Sequence, residues 1–289
     1  METVGIVGAG LMGSGIAEAC AVAGICVVVH EPESAPLARS RERIAASLDK
    51  AVARGKWPPR AAAEALQRIV HTTALADLAG CQLAVEAVTE DEAIKTGVFR
   101  RLDAMFDPDV ILASNTSSIP ITTLAAATSH AERVLGLHFF SPVPVMGLVE
   151  VVPAFATAPE TVAAAEGFAQ QIGKHAIRSK DRAGFLVNVL LIPYLIHAVR
   201  LYADGFGTRE DIDDGMTLGC GHPMGPLALC DFIGLDVIDG ICTSLYDEYR
   251  REEYVAPPLL RRMVTAGCLG RKTGRGFYDY APIRTRAAA

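Results

Sequence analysis

Along residues 1–182, short apolar, β-branched runs alternate with stretches of helical periodicity. The runs at 4–7, 26–29, 83–86, 110–113, 134–137 and 149–152 predict strands. Between them, 12–23, 37–54, 93–105 and 161–172 carry the spacing of helices, the second with Arg39, Arg43, Asp49 and Lys50 along one side. Strands that are apolar at nearly every position belong to a sheet covered on both faces, and strand–helix alternation implies that the sheet is parallel. Beyond Arg182 the pattern changes. Residues 185–203, 209–218, 226–233 and 235–249 read as helices, and no run there reads as a convincing strand. The chain has 289 residues, more than one core usually organises. Arg182-Ala183-Gly184 is the expected junction between an α/β domain at 1–182 and an all-α domain at 183–289.

Composition narrows the class. A chain with 51% hydrophobic and 21% charged residues is not a disordered one. A net charge of -6 without a basic stripe argues against nucleic acid as a partner. The apolar runs do not suggest a membrane span. The run at 185–196 is interrupted by Asn188 and Pro193 and falls short of the roughly 20 residues a span needs. The first residues carry Glu2 and pass directly into Val4-Gly5-Ile6-Val7, without the basic start of a signal peptide, so a cytoplasmic protein is expected. The seven cysteines include no C-x-x-C pair, so no metal site is expected and they read as small hydrophobes of a reducing compartment. An alanine tail closes the chain at 287–289.

Gly8-Ala9-Gly10-Leu11-Met12-Gly13 is G-x-G-x-x-G placed directly after a predicted strand and opening a predicted helix. In that setting Gly8 permits the turn, Gly10 lets the backbone approach a pyrophosphate, and Gly13 lets helix and strand pack. Leu11 and Met12 open the helix whose free amides receive the phosphate charge. The motif then asks for an acid about 20 residues on. Glu31 is there, ending Cys26-Val27-Val28-Val29-His30. A carboxylate at that point binds ribose hydroxyls and repels a 2′-phosphate, and no arginine precedes Arg39 to receive one, so NAD is favoured over NADP. His30 reads as a strand-end residue at the adenine rim rather than a catalyst. The expected fold is therefore a Rossmann-type dinucleotide-binding domain followed by a helical C-terminal domain.

His138, in Leu137-His138-Phe139-Phe140-Ser141, would by itself read as a packed core residue. Glu150 changes that weighting. It lies inside Leu148-Val149-Glu150-Val151-Val152, where a buried carboxylate is costly unless paired. A strand-loop-strand hairpin would bring the two together, with glutamate setting the tautomer and histidine acting as a general base.

At these residues the chain resembles the 3-hydroxyacyl-CoA dehydrogenase family, in its stand-alone 3-hydroxybutyryl-CoA dehydrogenase form. The resemblance rests on the glycine motif, Ser114-Asn115-Thr116-Ser117-Ser118, His138-Phe139-Phe140 and Leu148-Val149-Glu150-Val151. It continues through Gly184-Phe185-Leu186-Val187-Asn188, Pro223-Met224-Gly225-Pro226 and Lys272-Thr273-Gly274-Arg275-Gly276-Phe277-Tyr278. It implies that His138 takes the proton of a substrate 3-hydroxyl while hydride passes to NAD, with Glu150 orienting it. It implies further that Ser117 binds the reacting oxygen and that Asn188, from the second domain, holds the thioester. The site would then lie in the cleft between domains. Glu90, Lys95, Asn115 and Lys272 would lie about the nicotinamide half, and Ser47 and Arg54 where coenzyme A binds. A homodimer through the helical domain is implied too, in keeping with the apolar residues Leu186, Val187, Leu190, Leu191, Leu195 and Ile196.

Two positions depart from the family pattern. Serine stands at 141, where an asparagine usually contacts the cofactor, and glycine at 147, where lysine is common. The reaction is expected to survive both. They leave open whether the acyl group rides on coenzyme A or on an acyl carrier protein, as with the small glyceryl-type units of relatives in antibiotic pathways. A catalytically silent dinucleotide-binding protein on the same fold is the reading from another class.

Overall fold

The computed structural model describes residues 1–280, so the alanine tail at 287–289 lies outside the described residues. Two compact units divide the chain, one ending at Asp181 and the other beginning at Arg182.

The first unit runs β1 (Thr3–Val7), α1 (Leu11–Val22), β2 (Cys26–His30), α2 (Ser34–Ala53), α3 (Pro59–Gln67), β3 (Ile69–Thr72), β4 (Leu83–Glu86), α4 (Glu92–Met105) and β5 (Ile111–Ser114). It continues with α5 (Ile121–Ala125), β6 (Val134–Phe139), β7 (Leu148–Pro153), α6 (Pro159–Gln171) and β8 (His175–Arg178). All eight strands form one sheet in the order β3-β2-β1-β4-β5-β6-β7-β8. From β3 to β6 every pairing is parallel, but β7 runs antiparallel to β6, and β8 is parallel to β7. The parallel sheet expected from strand–helix alternation holds from β3 to β6, and the β6–β7 pair is the strand-loop-strand hairpin expected for His138 and Glu150. A parallel return needs a crossover of about a dozen residues or more, and the link at 140–147 is too short for one. The central strands are buried throughout, and Ile6, Val29, Val85, Leu137 and Val149 join Ile16 of α1 in one core.

Five elements were not foreseen. β3 and β8 are the two edge strands, mostly half-buried or exposed, and Ile-Val-His-Thr and His-Ala-Ile-Arg carry no apolar alternation to announce them. α3 starts at Pro59, whose missing amide does no harm in a first turn, while α5 has five residues and α11 (Pro258–Thr265) eight.

The second unit contains α7 (Val187–Ala203), α8 (Arg209–Cys220), α9 (Pro226–Ile233), α10 (Leu235–Tyr249) and α11. α7 begins two residues later than its periodicity suggests because Gly184 and Phe185 both hold positive φ, +79° and +48°. A side chain at Gly184 would also overlap Leu245. Ile192, Leu195, Ile196, Leu227, Leu235 and Leu245 form this unit's own core.

Two buried acids organise its ends. Asp213 of α8 accepts the Leu227 and Ala228 amides at 2.8 and 2.9 Å, capping α9. Asp231 accepts the Phe277 and Tyr278 amides, both at 2.9 Å. A side chain at Gly225 would overlap Asp213, and one at Gly276 would overlap Asp231. The glycines of the Pro-Met-Gly-Pro and Gly-Phe-Tyr blocks thus let backbone close on these carboxylates. Among the described residues no helix is long and apolar enough to cross a membrane.

Candidate active site

The chain turns sharply where β1 ends. Gly8 has φ +110° and donates its amide to the His30 carbonyl at 2.9 Å. A Cβ there would stand 2.5 Å from the Ala87 carbonyl oxygen, and one at Gly13 would overlap the Gly8 carbonyl. At Gly10, by contrast, a Cβ would meet nothing within 4 Å, so that side of the turn is open. Leu11 and Met12 begin α1, whose first amides have no partner within the helix. Glu31 follows β2, and its Oε2 accepts the Ala9 amide at 3.1 Å. Arg43, which sequence reasoning left on a charged helix side, reaches the same turn: its Nη1 lies 2.8 Å from Ser14 Oγ and 3.2 Å from the Gly10 carbonyl. A cleft of about 520 Å³ opens beside these groups, lined by Gly8, Gly10, His30, Glu31 and Val88 among others. Open glycine, free amides and a carboxylate at the second strand's end fit the pyrophosphate and ribose of a dinucleotide.

The antiparallel pairing of β6 and β7 sets His138 directly opposite Glu150. His138 Nδ1 and Glu150 Oε2 are 2.6 Å apart, with histidine 6% exposed and glutamate fully buried. A carboxylate at this distance accepts the Nδ1 proton, fixes that tautomer and favours the imidazolium once it forms. Phe140 closes on the ring, centroid to centroid 4.6 Å.

A second polar cluster gathers at the carboxyl ends of β4 and β5. Glu86, fully buried, accepts from Ser114 Oγ and Lys95 Nζ, each at 2.6 Å, and from the Val88 amide at 2.7 Å. The Lys95 ammonium, itself 1% exposed, also lies 3.3 Å from Glu90 Oε2. Glu90 Oε1 accepts from Thr116 Oγ1 at 2.5 Å, the Ser117 amide at 3.0 Å and Ser118 Oγ at 2.9 Å. Burial raises the Glu90 carboxyl, but the Lys95 ammonium and the Thr116, Ser117 and Ser118 donors outweigh it and hold the group below its ordinary range. Asn115 Oδ1 accepts the Phe139 amide at 2.9 Å, tying this cluster to the residue after His138. Asn115, Ser117, Glu90 and Lys95 are thus joined to the His138–Glu150 pair by a chain of contacts.

The loop between β6 and β7 carries Ser141, exposed and preceding Pro142 in a cis peptide, and Gly147. Its anchor is Lys174, which follows α6. The buried ammonium donates to the Val143 and Met146 carbonyls, both at 2.7 Å. Replacing Lys174 by methionine keeps the stem and strands both carbonyls. It is expected to lower unfolding free energy by about 1–3 kcal/mol in denaturant titrations.

Ser47 lies on α2 and donates to Glu18 Oε1 at 2.8 Å, while Arg54 is exposed at the end of the same helix. Burial pushes the Glu18 carboxyl up to about 7, against a smaller lowering by Ser47. A folded value raised above the unfolded one stabilises the protein at acid pH, and that contribution is lost as pH rises through about 7. Glu18→Gln is therefore expected to raise Tm at pH above 7 and to change it little in the acid range. Thermal melts across pH check this.

In the second unit, Asn188 occupies the first turn of α7, is 8% exposed, and donates its backbone N–H to the Gly184 carbonyl at 3.1 Å. Lys272 Nζ pairs with Asp236 at 2.5 Å. Among the described residues no group of three His, Cys, Asp or Glu could hold a metal ion. Glu86 and Lys174 were missed by sequence reasoning. Glu86 ends the apolar run Leu83-Ala84-Val85 and carries the same signal that singled out Glu150.

Comparison with known proteins adds the following. Residues 3–182 match the family model of the 3-hydroxyacyl-CoA dehydrogenase NAD-binding domain, and 184–280 that of the C-terminal domain. The chain is 51% identical over 282 residues to a 3-hydroxybutyryl-CoA dehydrogenase of Mycobacterium tuberculosis, covering 97% of this chain and 99% of that one. It is 42% identical to the mitochondrial hydroxyacyl-coenzyme A dehydrogenase of Sus scrofa, covering 97% and 91%. The crystal structure of the (S)-3-hydroxybutyryl-CoA dehydrogenase PaaH1 from Ralstonia eutropha superposes with a TM-score of 0.92 at 46% identity, covering 97% and 99%.

Proposed function

The chain belongs to the 3-hydroxyacyl-CoA dehydrogenase family, and from that premise we propose that it interconverts short-chain (3S)-3-hydroxyacyl-CoA, such as 3-hydroxybutyryl-CoA, and the 3-oxo thioester. The observation that carries the reading is the 2.6 Å contact between His138 and Glu150 on opposed strand positions. NAD, bound at the glycine turn, supplies the hydride acceptor. His138, with Nδ1 engaged by Glu150, takes the hydroxyl proton at Nε2 as the C3–H bond breaks, and returns it in the reverse direction. Glu150 keeps the ring in the accepting tautomer and stabilises its charged form. Glu31 binds the ribose hydroxyls and turns away a 2′-phosphate.

The remaining roles follow the family pattern. Ser117 donates to the reacting oxygen and Asn188 to the thioester. Glu90, Asn115, Ser141 and Lys272 contact the nicotinamide half, with Lys95 fixing Glu90 in place, and Ser47 and Arg54 receive coenzyme A. A silent dinucleotide-binding protein would have no use for a buried acid–imidazole pair. Appearance of NADH when the protein meets NAD and 3-hydroxybutyryl-CoA is the direct test, and no turnover on any 3-hydroxyacyl thioester rejects the proposal.

One observation favours a second carrier. A Cβ at Gly147 meets nothing within 4 Å, so the chain has room for the family's lysine and does not use it. Together with Ser141, this motivates an acyl group carried on acyl carrier protein. Turnover of one acyl group on both carriers decides, and a marked preference for coenzyme A rejects the second reading. A reaction on freely diffusing thioesters and NAD suits a cytoplasmic enzyme.

The second unit further suggests a homodimer. Leu190 of α7 is 68% exposed and Leu218 of α8 83%, whereas Leu195 and Ile196 of α7 are used up in the unit's own core. Exposed apolar side chains of that size are commonly covered by two-fold self-association. Sedimentation at micromolar concentration is expected to show a dimer, and a monomer contradicts it.

A further inference from the structure

The glycine turn and Glu31 account for the pyrophosphate and the adenosine ribose of a dinucleotide, but the cleft continues past them. Its walls there are mainly apolar, with Val7, Val88, Ile94 and Val98. Besides Glu31, three polar residues interrupt that lining, His30, Thr89 and Arg101, and of these His30 and Arg101 carry ionisable groups. His30 ends β2, paired with Val7 of β1 on one side and Thr72 of β3 on the other. It is 3% exposed, lines the cleft, and its Nδ1 makes no hydrogen bond. The other buried polar side chains of the cofactor side, Glu86, Lys95 and Ser114, all have partners. A buried imidazole left short of a partner beside an open apolar slot is suited to a flat, apolar group bearing one hydrogen-bonding edge. Burial first and the Arg101 charge second hold the ring below its ordinary pKa, against a smaller opposing influence of Asp77. Neutral imidazole has one nitrogen that accepts.

We propose that His30 is a specificity-determining residue for the base of the cofactor, accepting a hydrogen bond from the exocyclic amino group of adenine in the slot beyond Glu31. The assignment rests on the NAD reading above and adds to it a contact that the glycine motif does not supply. It makes the slot selective for a 6-aminopurine over a 6-oxopurine, which presents a carbonyl where adenine presents a donor.

The test is equilibrium binding to the full chain, followed by the fluorescence of the reduced nicotinamide, for NADH and for reduced nicotinamide hypoxanthine dinucleotide. One net hydrogen bond corresponds to a preference of about 3- to 10-fold for NADH. His30→Phe keeps the ring and removes its nitrogens, and is expected to bind the two dinucleotides alike, through loss of NADH affinity alone. Where His30→Phe does not fold, His30→Leu, which likewise lacks a hydrogen-bonding nitrogen, serves in its place with the same expectation. Equal binding of both dinucleotides by the unaltered protein overturns the assignment, as does a preference that persists in His30→Phe or an equal loss for both. Absence of any NADH binding overturns the cofactor reading itself, and the assignment with it.

Discussion

His138→Ala is expected to lower kcat for 3-hydroxybutyryl-CoA oxidation by about 100- to 10,000-fold while NADH still binds. That range is what a positioned general base contributes, and the glycine turn that binds NADH lies on β1, β2 and α1 rather than on the hairpin. Alanine also leaves the fully buried Glu150 without its imidazole partner, so some stability is lost as well. Circular dichroism on the same preparation separates the two effects. A folded His138→Ala protein that turns over at the unaltered rate would exclude this histidine as the base.

Glu150→Gln produces a loss of similar size by a different route. Glutamine fills nearly the same volume, so the hairpin should hold. Its amide can donate to Nδ1, where the carboxylate only accepts. The favoured tautomer then carries its proton on Nε2, the nitrogen that must receive the substrate's proton. The imidazolium loses its counter-charge at the same time. A fall of at least about 100-fold in kcat is expected, with little change in KM, since neither atom altered binds the ground state of the thioester. A rise in KM with kcat unchanged would show that Glu150 serves binding instead.

What could be read from the chain beforehand follows the physics of burial. An acid within the apolar run Leu148 to Val152 is conspicuous because desolvation makes it so, and the hairpin it implied is the β6–β7 pair. The glycine motif was legible because each glycine answers a separate steric demand, at Ala87, at the open face and at Gly8. Lys174 was not legible. A lysine after a helix-ending Gly173 reads as solvated, and only the folded loop delivers the Val143 and Met146 carbonyls to it. Arg43 was hidden in the same way, on a charged helix side that turns out to face the cofactor turn. The Glu90 cluster is assembled by donors 26 to 28 residues away, brought together by the parallel pairing of β4 and β5. Pairing of that kind leaves no local trace. The direction of β7 was legible in the same hairpin, since the link at 140–147 is too short for a parallel crossover.

The central claim is that hydride leaves C3 of the thioester for NAD as His138 takes the hydroxyl proton. It is tested most directly by incubating the protein with NAD and (3S)-3-hydroxybutyryl-CoA deuterated at C3, and analysing the reduced nicotinamide by mass spectrometry. The account predicts one deuterium in each reduced cofactor, formed in equal amount with the 3-oxo thioester. Reduced cofactor without deuterium, or none formed by a protein that binds NADH, would contradict it.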